Sequence, residues 1–177
     1  NRTTSVGAGA TASANDAIAV GTGATASNTD AIAVGNGATA SGVGSIAIGQ
    51  GSTATGSVAV GTNSTASHGG TAIGDNTSAT PQNSAAFGNG AVATLASQQV
   101  FGTATNTYTT PGITSGLSKV RQSGPLEVVT SDAAGNLATD GGRIFERLDE
   151  AESGIAMAIA LENPDLVAGE NFGIAFN

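Results

Sequence analysis

The chain has 177 residues, with 27 Gly, no Cys and a net charge of −8 from 13 acidic and five basic residues. The acidic balance argues against nucleic acid as a partner, because phosphate binding needs clustered Lys and Arg. The missing Cys excludes disulfides and thiol chemistry. Since Leu, Ile, Val and Phe are scarce, a compact monomer would bury little apolar area, and we expect identical subunits to associate.

A five-residue unit that ends in glycine recurs through residues 1–102, for example at 31–35, 45–49 and 57–61. Its final residue is Gly7, Gly21, Gly35, Gly49, Gly61, Gly74, Gly88 and Gly102, at spacings of 14, 14, 14, 12, 13, 14 and 14 residues. Such a period is typical of a solenoid, in which each repeat forms one coil. We therefore interpret these glycines as part of the repeat scaffold.

Side chains alternate in size before each glycine. Val34 precedes Gly35 and Ile32 lies three residues before it, with Ala33 between them; Ala47 has the same place in the next repeat. This period of two predicts a β-strand with two apolar faces. We expect the bulky face to fill the coil, and the alanine face, which contains Ala33 and Ala47, to approach neighbouring subunits.

A second strand follows each glycine. The position two residues after the glycine is Gly or Asn in the seven repeats from Gly7 to Gly88, and these residues tolerate positive φ and predict a turn. The position five residues after it is alanine in seven repeats, from Ala12 to Ala93, which predicts a strand with an inward alanine. The return connection, including 67–71 and 80–84, varies in length and is therefore expected at the surface.

The period ends after residue 102. Residues 103–116 are rich in Thr, Gly and Pro and predict an extended loop. Residues 127–130 and 136–139 flank a turn at 131–135, which predicts a β-hairpin. Residues 140–163 predict a helix that begins at Asp140 as N-cap and stops before Pro164.

The apolar residues of this helix follow spacings of 4, 3, 4 and 3 residues, as in a short coiled-coil seam. The seam consists of Ile144, Leu148, Ala151, Ile155 and Ala158. After a connection from residue 164, the alternating residues 171–176 predict one last strand. The apolar run at 155–161 is too short to span a bilayer as a helix.

The repeat SVAVGTNSTA at 57–66 resembles the head repeat of the trimeric autotransporter adhesins, the YadA-like family. Residues 140–177, with IAMAIAL at 155–161 followed by Pro164, Gly169 and Glu170, resemble the helix and first strand of that family's anchor. The resemblance implies four segments: a head at 1–102, a connector or neck at 103–139, a coiled-coil helix at 140–163, and an anchor-like connection and strand at 164–177.

For the fold, the resemblance implies a mostly β protein, a left-handed parallel β-roll of about seven 14-residue coils that forms a homotrimer. It also implies a bacterial cell-surface adhesin of the outer membrane, a rigid rod that binds host extracellular matrix, a host cell-surface protein or other copies of itself. The family's anchor needs four strands per chain and this sequence offers one. Membrane contact is therefore expected only through an anchor that is not complete in this chain.

Two other classes of function were weighed. A trimeric viral tail fibre could use the same β-roll. A sugar-processing enzyme usually carries clustered carboxylates, whereas the coils offer only the well-separated Asp16, Asp30 and Asp75. The single histidine, His68, lies in a return connection and offers little for a metal cluster or catalytic triad. We predict no catalytic residue, metal or cofactor, and the sequence does not identify the ligand-binding residues.

Overall fold

The structure is a computed structural model that describes residues 2–160, with side chains to residue 158. The chain divides into two compact units between Tyr108 and Thr109. The first unit is a parallel β-solenoid of about seven coils, as the repeat period predicted. The second contains short helices, a strand pair and a longer helix.

Each coil contributes two short strands to the solenoid. In chain order they are β1 (Thr4–Val6), β2 (Thr11–Ala12), β3 (Ile18–Val20), β4 (Thr25–Ala26), β5 (Ile32–Val34), β6 (Thr39–Ala40), β7 (Ile46–Ile48), β8 (Thr53–Thr55), β9 (Val58–Val60), β10 (Thr65–Ser67), β11 (Thr71–Ile73), β12 (Ser78–Ala79), β13 (Ala85–Phe87), β14 (Val92–Ala93) and β15 (Gln99–Phe101).

The odd-numbered strands form one parallel sheet of eight strands, here called the front sheet, and the even-numbered strands form a parallel back sheet of seven. Equivalent residues pair from coil to coil: Ala33 is aligned with Ala47 in the front sheet, and Thr39 with Thr53 in the back sheet. Residues at the same position of successive repeats are therefore neighbours in a sheet. Together they form a row along the solenoid.

The predicted turn after each glycine is confirmed. Asn63 and Asn76, which replace glycine in two repeats, both have φ 55°. The return corner also contains positive φ angles, at Asp16, Asp30, His68, Asn83 and Ser97 among the residues other than glycine. Each coil therefore turns through left-handed residues at two corners, of which the sequence predicts only the one that follows the repeating glycine.

The prediction for the two faces of the front strands was wrong. Ala33 and Ala47 are fully buried inside their own coil, together with Ala40 and Ala54 of the back sheet, while the bulky Ile32 points outward and is half-buried. The interior between the sheets is narrow: its fully buried side chains are Ala, Ser and Thr, and the largest is Thr77. Bulky residues therefore lie outside, and the alanines fill the coil.

Buried hydroxyls at the corners bond to the backbone three residues earlier. Ser52 donates to the carbonyl of Gly49 at 2.9 Å, and Thr77 donates to that of Gly74 at 2.7 Å. A buried hydroxyl without a partner is costly, so these bonds make Ser and Thr compatible with the alanine interior. Ser57, which follows the shortened connection of the 12-residue repeat, has a buried Oγ without such a bond.

The second unit begins with a 3-10 helix at Pro111–Thr114 and a short helix α1 at Gly116–Arg121. The prediction of an extended loop through residue 116 was therefore wrong in its last part. Pro111 has a favourable place at the start of a helical turn, and the Ser115 hydroxyl caps α1 by accepting from the amide of Ser118 at 3.0 Å.

The hairpin and the longer helix are confirmed. Strands β16 (Val129–Ser131) and β17 (Leu137–Thr139) pair antiparallel, and α2 runs from Arg143 to Ala160. The Asp132 carboxylate closes the turn by accepting from the amides of Ala134 and Asn136 at 2.9 Å. The predicted strand at 171–176 lies outside the described residues.

The Asp140 carboxylate joins the hairpin to α2. It accepts from Ile144 N at 2.9 Å and from Gly142 N at 3.1 Å at the helix start, and from Val128 N at 2.8 Å beside the hairpin. These bonds hold the pKa of the Asp140 carboxyl below its usual value, and the bond from Ile144 has the largest effect. Desolvation acts in the opposite direction. Asp140 thus caps the helix start with its side chain, but from two residues before the N-cap position: α2 begins at Arg143, and the predicted start at Asp140 was too early.

Candidate binding faces

The outer side of the front sheet is a continuous apolar surface, here called the apolar face. Two side chains per coil point outward from this sheet, and the rows run along the solenoid in register. The apolar face consists of Ile18, Val20, Ile32, Val34, Ile46, Ile48, Val58, Val60 and Ile73. Most are half-buried in the single chain, while Ile48 and Ile73 remain 39% and 41% exposed.

The apolar face changes in character towards the last coils. The row that begins with Ile18 continues to Thr71, Ala85 and Gln99, while the row that begins with Val20 ends in Phe87 and Phe101. The rings of Phe87 and Phe101 stack with centroids 5.3 Å apart. Side-chain volume thus moves from one row to the other, and only the row that begins with Val20 stays apolar to the end of the solenoid, since the other row ends in the exposed Gln99.

The outer side of the back sheet differs in chemistry and is here called the hydroxyl face. One row contains Thr25, Thr39, Thr53 and Thr65, which are aligned from strand to strand. A second row beside it contains Ser27, Ser41, Thr55 and Ser67. None of these residues is charged. The two outer surfaces of the solenoid therefore offer different partners: the apolar face favours burial, and the hydroxyl face is compatible with water.

Two return connections that the sequence placed at the surface contact each other. Ser67 Oγ donates to the carbonyl of Thr80 at 3.0 Å, and His68 Nδ1 lies 3.0 Å from the same oxygen. The amide of Asn83 donates to the carbonyl of His68 at 3.1 Å. His68 itself is exposed. Residues 67–71 and 80–84 therefore form one hydrogen-bonded surface and not two independent loops.

The acidic residues of the coils have structural contacts. Asp16 pairs with Arg2 at 2.9 Å on the surface, and the Asp75 carboxylate accepts from the amide of Thr62 at 2.7 Å. In the part of the chain that the structure describes, no group of three or more His, Cys, Asp or Glu residues has a geometry that could hold a metal ion. The carboxylates of the coils thus organise corners and do not converge on a shared site.

The five seam residues all lie on α2, where their spacing places them along one side. Ile144, Leu148 and Ile155 are 44%, 53% and 60% exposed, and Ala151 and Ala158 are exposed as well. No helix within residues 2–160 combines the length and the apolar character that crossing a membrane requires. The seam is thus an apolar side of a helix that the described residues of its own unit leave uncovered.

The ladder glycines Gly21, Gly35, Gly49, Gly61, Gly74 and Gly88 stack along one corner of the solenoid. A Cβ on Gly35 would collide with the carbonyl oxygen of Gly49 in the next coil, and a Cβ on Gly74 would lie 2.9 Å from that of Gly88. From Gly21 to Gly74 the repeat therefore requires glycine because the backbones of successive coils approach too closely for a side chain, whereas a Cβ on Gly88 would lie 3.4 Å from the Cα of Gly102.

Comparison with known families agrees with this architecture. The family model described as the YadA head domain repeat matches residues 1–24, 26–52, 52–70 and 68–91. No curated protein matches the chain. Because the matched ranges cover half of the chain and coincide with the stacked coils, the chain belongs to the YadA head-repeat family.

Proposed function

We propose that this chain is the head, connector and first part of the stalk of a bacterial cell-surface adhesin. It assembles as a homotrimeric rod on the outside of the outer membrane and presents three copies of each binding site. Host extracellular matrix, host cell-surface proteins and other copies of the rod are the expected ligands. Family membership supports an adhesin that is structural and not an enzyme.

The observation that carries the proposal is the apolar face. Its nine Ile and Val residues run without a charged residue along the coils from β3 to β11. Full burial of such a side chain contributes about 1.5–3 kcal/mol relative to full exposure, and these residues are already half-buried. The free energy still to be gained by covering each residue is therefore small. It repeats in every coil, as an interface along the whole rod requires. Association costs roughly 4–15 kcal/mol, which a single coil would not offset.

The opposite surfaces are left for the ligand. If the apolar face is covered by neighbouring copies, the hydroxyl face and the exposed residues within 67–69 and 80–83 remain accessible, whereas Thr71 belongs to the front sheet and Ser84 is buried. Three identical sites held on one rigid body bind a fibrous or cell-bound ligand with greater avidity than a single site does. The rod thus turns modest individual contacts into stable attachment.

Assembly is tested by placing charge on each outer surface. Light scattering on the purified chain should give three times the chain mass. Replacing Ile32 and Ile46 by Lys should yield folded monomers, because buried unpaired charges would oppose association. The matched control replaces Thr39 and Thr53 by Lys and should leave the trimer intact. These two residues belong to the same two coils but lie in one row of the hydroxyl face. A trimer that survives the first pair of changes, or dissociates on the second, contradicts the proposed interface.

Adhesion is tested by binding of the trimer to immobilised collagen, fibronectin and laminin. We expect the Ile32→Lys, Ile46→Lys monomer to lose most of the avidity for any ligand that the trimer binds. Exchanging residues 67–71 and 80–84 together for the connections of the first two coils should then show whether this surface makes the contact. Equal binding by monomer and trimer would refute the multivalent mechanism.

A further inference from the structure

The described residues of the second unit, 109–158, leave helix α2 uncovered along its length. All its described side chains, from Arg143 to Ala158, are exposed. Most of the stability of a helix in a protein comes from packing of its apolar side, so the 18-residue α2 needs a partner for its seam. In the proposed trimer the seam from Ile144 to Ala158 would meet the same seam of neighbouring copies.

The seam assigns positions to the charged residues beside it. With Leu148 and Ile155 at position a of the heptad and Ala151 at position d, Arg147 is at position g and Glu152 is at position e of the next heptad. In a parallel coiled coil with aligned chains, a g residue faces the e residue that lies five positions later on the neighbouring helix. Arg147 and Glu152 are therefore opposite each other and carry opposite charges.

Neither charge is well compensated on its own helix. The residues three and four positions from Glu152 are Leu148, Asp149, Ile155 and Ala156, which include an acid and no base. Arg147 lies four residues from Arg143, a like charge, and three from Glu150. Within residues 2–158 the only ion pair is that of Arg2 with Asp16, at the other end of the chain. Each flank of the seam thus carries one charge whose complement is on the other flank.

The same charges favour the parallel orientation. In an antiparallel pair of helices the g flank faces the g flank and the e flank faces the e flank, so Arg147 and Glu152 would lie on different sides of the contact and could not pair. The ion pair is therefore available only when the helices run parallel and in register.

We propose that Arg147 of each chain forms an ion pair with Glu152 of a neighbouring copy, and that this pair sets the parallel, aligned arrangement of the three helices. The inference rests on the proposed trimer and goes beyond it by naming the residues that determine register. Three such pairs surround the seam, one at each helix–helix contact. Their effect is on orientation and register more than on total affinity, because exposed pairs are individually weak.

Charge reversal in the full chain tests the pair. Arg147→Glu and Glu152→Arg each place like charges at all three contacts, and the double variant restores opposite charges. We expect each single variant to lower the melting midpoint of the helix, followed by circular dichroism at 222 nm, by about 5 °C at low salt. The double variant should return to within about 2 °C of the parent, and 1 M NaCl should reduce all differences.

The matched control is Glu146→Arg, which reverses a charge on the side of the helix opposite the seam. This control should lose clearly less than the single variants, because Glu146 contributes only as the acid of the first turn of its own helix. Mixing the unfolded Arg147→Glu and Glu152→Arg chains and refolding them together should give mixed trimers in excess over pure ones, because one chain then has acidic flanks and the other basic flanks.

The outcomes separate this inference from the function on which it depends. If the parent chain is a monomer by light scattering, the proposed trimer fails. If the parent is a trimer but the double variant melts as low as the single ones, or Glu146→Arg has the same effect as they do, then the trimer stands and the ion pair is wrong.

Discussion

Replacing Gly35 by Ala should damage the solenoid far more than replacing Gly37 by Ala, although the two glycines belong to the same turn. Gly35 has φ 140°, and a Cβ built there would overlap the carbonyl oxygen of Gly49 in the next coil. Gly37 has φ 66°, and a Cβ there would have nothing within 4 Å. The two positions therefore separate the close approach of coils from the cost of positive φ.

The difference can be assigned a magnitude. A side chain at the φ of Gly35 costs about 1–3 kcal/mol in backbone strain. Overpacking against the next coil adds about 1–3 kcal/mol, because backbone atoms and not a flexible side chain must move. At Gly37 the left-handed conformation costs about 1–2 kcal/mol. Reduced freedom of the unfolded chain returns about 0.4–1 kcal/mol in both variants and cancels in the comparison. The variants should thus differ by about 2 kcal/mol or more.

Thermal unfolding of the full chain, followed in the β-sheet signal of circular dichroism, measures this difference. For a unit of about 100 residues we expect Gly35→Ala to lower the midpoint by roughly 10 °C or more, and Gly37→Ala by no more than about 5 °C. Gly88→Ala should fall between them, because its Cβ would lie 3.4 Å from the Cα of Gly102, an ordinary contact distance. Equal losses at Gly35 and Gly37 would refute the argument that close backbone approach selects the ladder glycines.

Three further outcomes follow from the same interior and from the helix start. Ser57→Ala removes a buried hydroxyl without a hydrogen-bond partner and should raise the free energy of unfolding by about 1 kcal/mol, whereas Ser45→Ala loses a bond to the backbone and should lower it by a similar amount in urea titrations. Ala33→Leu should destabilise the coil by at least about 1–3 kcal/mol, while the outward Ile32→Leu should have little effect on a monomeric background in the same assay. The lowered pKa of Asp140 means that its stabilisation of α2 is complete above the usual value of 3.8 and is lost as pH falls through the lower folded-state value; Asp140→Asn should remove this part of the acid dependence of helix content.

Much of the fold could be predicted because the sequence repeats. The spacing of the ladder glycines fixed the coil length, and the alternation around Ala33 identified a strand. The Gly or Asn position identified one turn, which Asn63 and Asn76 confirm with positive φ. These features depend on neighbouring residues of one coil, so their signals are local and recur in every repeat.

The side of the strand that faces inward could not be read from alternation alone, since both sides are apolar. The distance between the two sheets decides which side of the strand faces inward, and that distance depends on the geometry of both corners of the coil. The connector was harder still: residues 111–121 form helical turns in a region without repeats, where the cap at Ser115 and the position of Pro111 were the local signals.

The repeats nevertheless contain a signal for the inward side. Some positions of the repeat vary from coil to coil, and others keep the same residue. Along the solenoid, the column that begins with Ile18 changes to Val58, Thr71, Ala85 and Gln99, whereas the alanine column that begins with Ala19 stays alanine through Ala86. An interior that holds nothing larger than Thr77 permits little variation, and an outer surface permits much. In a solenoid with small side chains, constancy among the chain's own repeats therefore identifies the core better than hydrophobicity does. The variable bulky rows are then the surface whose partner lies outside the coil, and this is why the apolar face, and not the alanine face, is the place where charge should break the assembly.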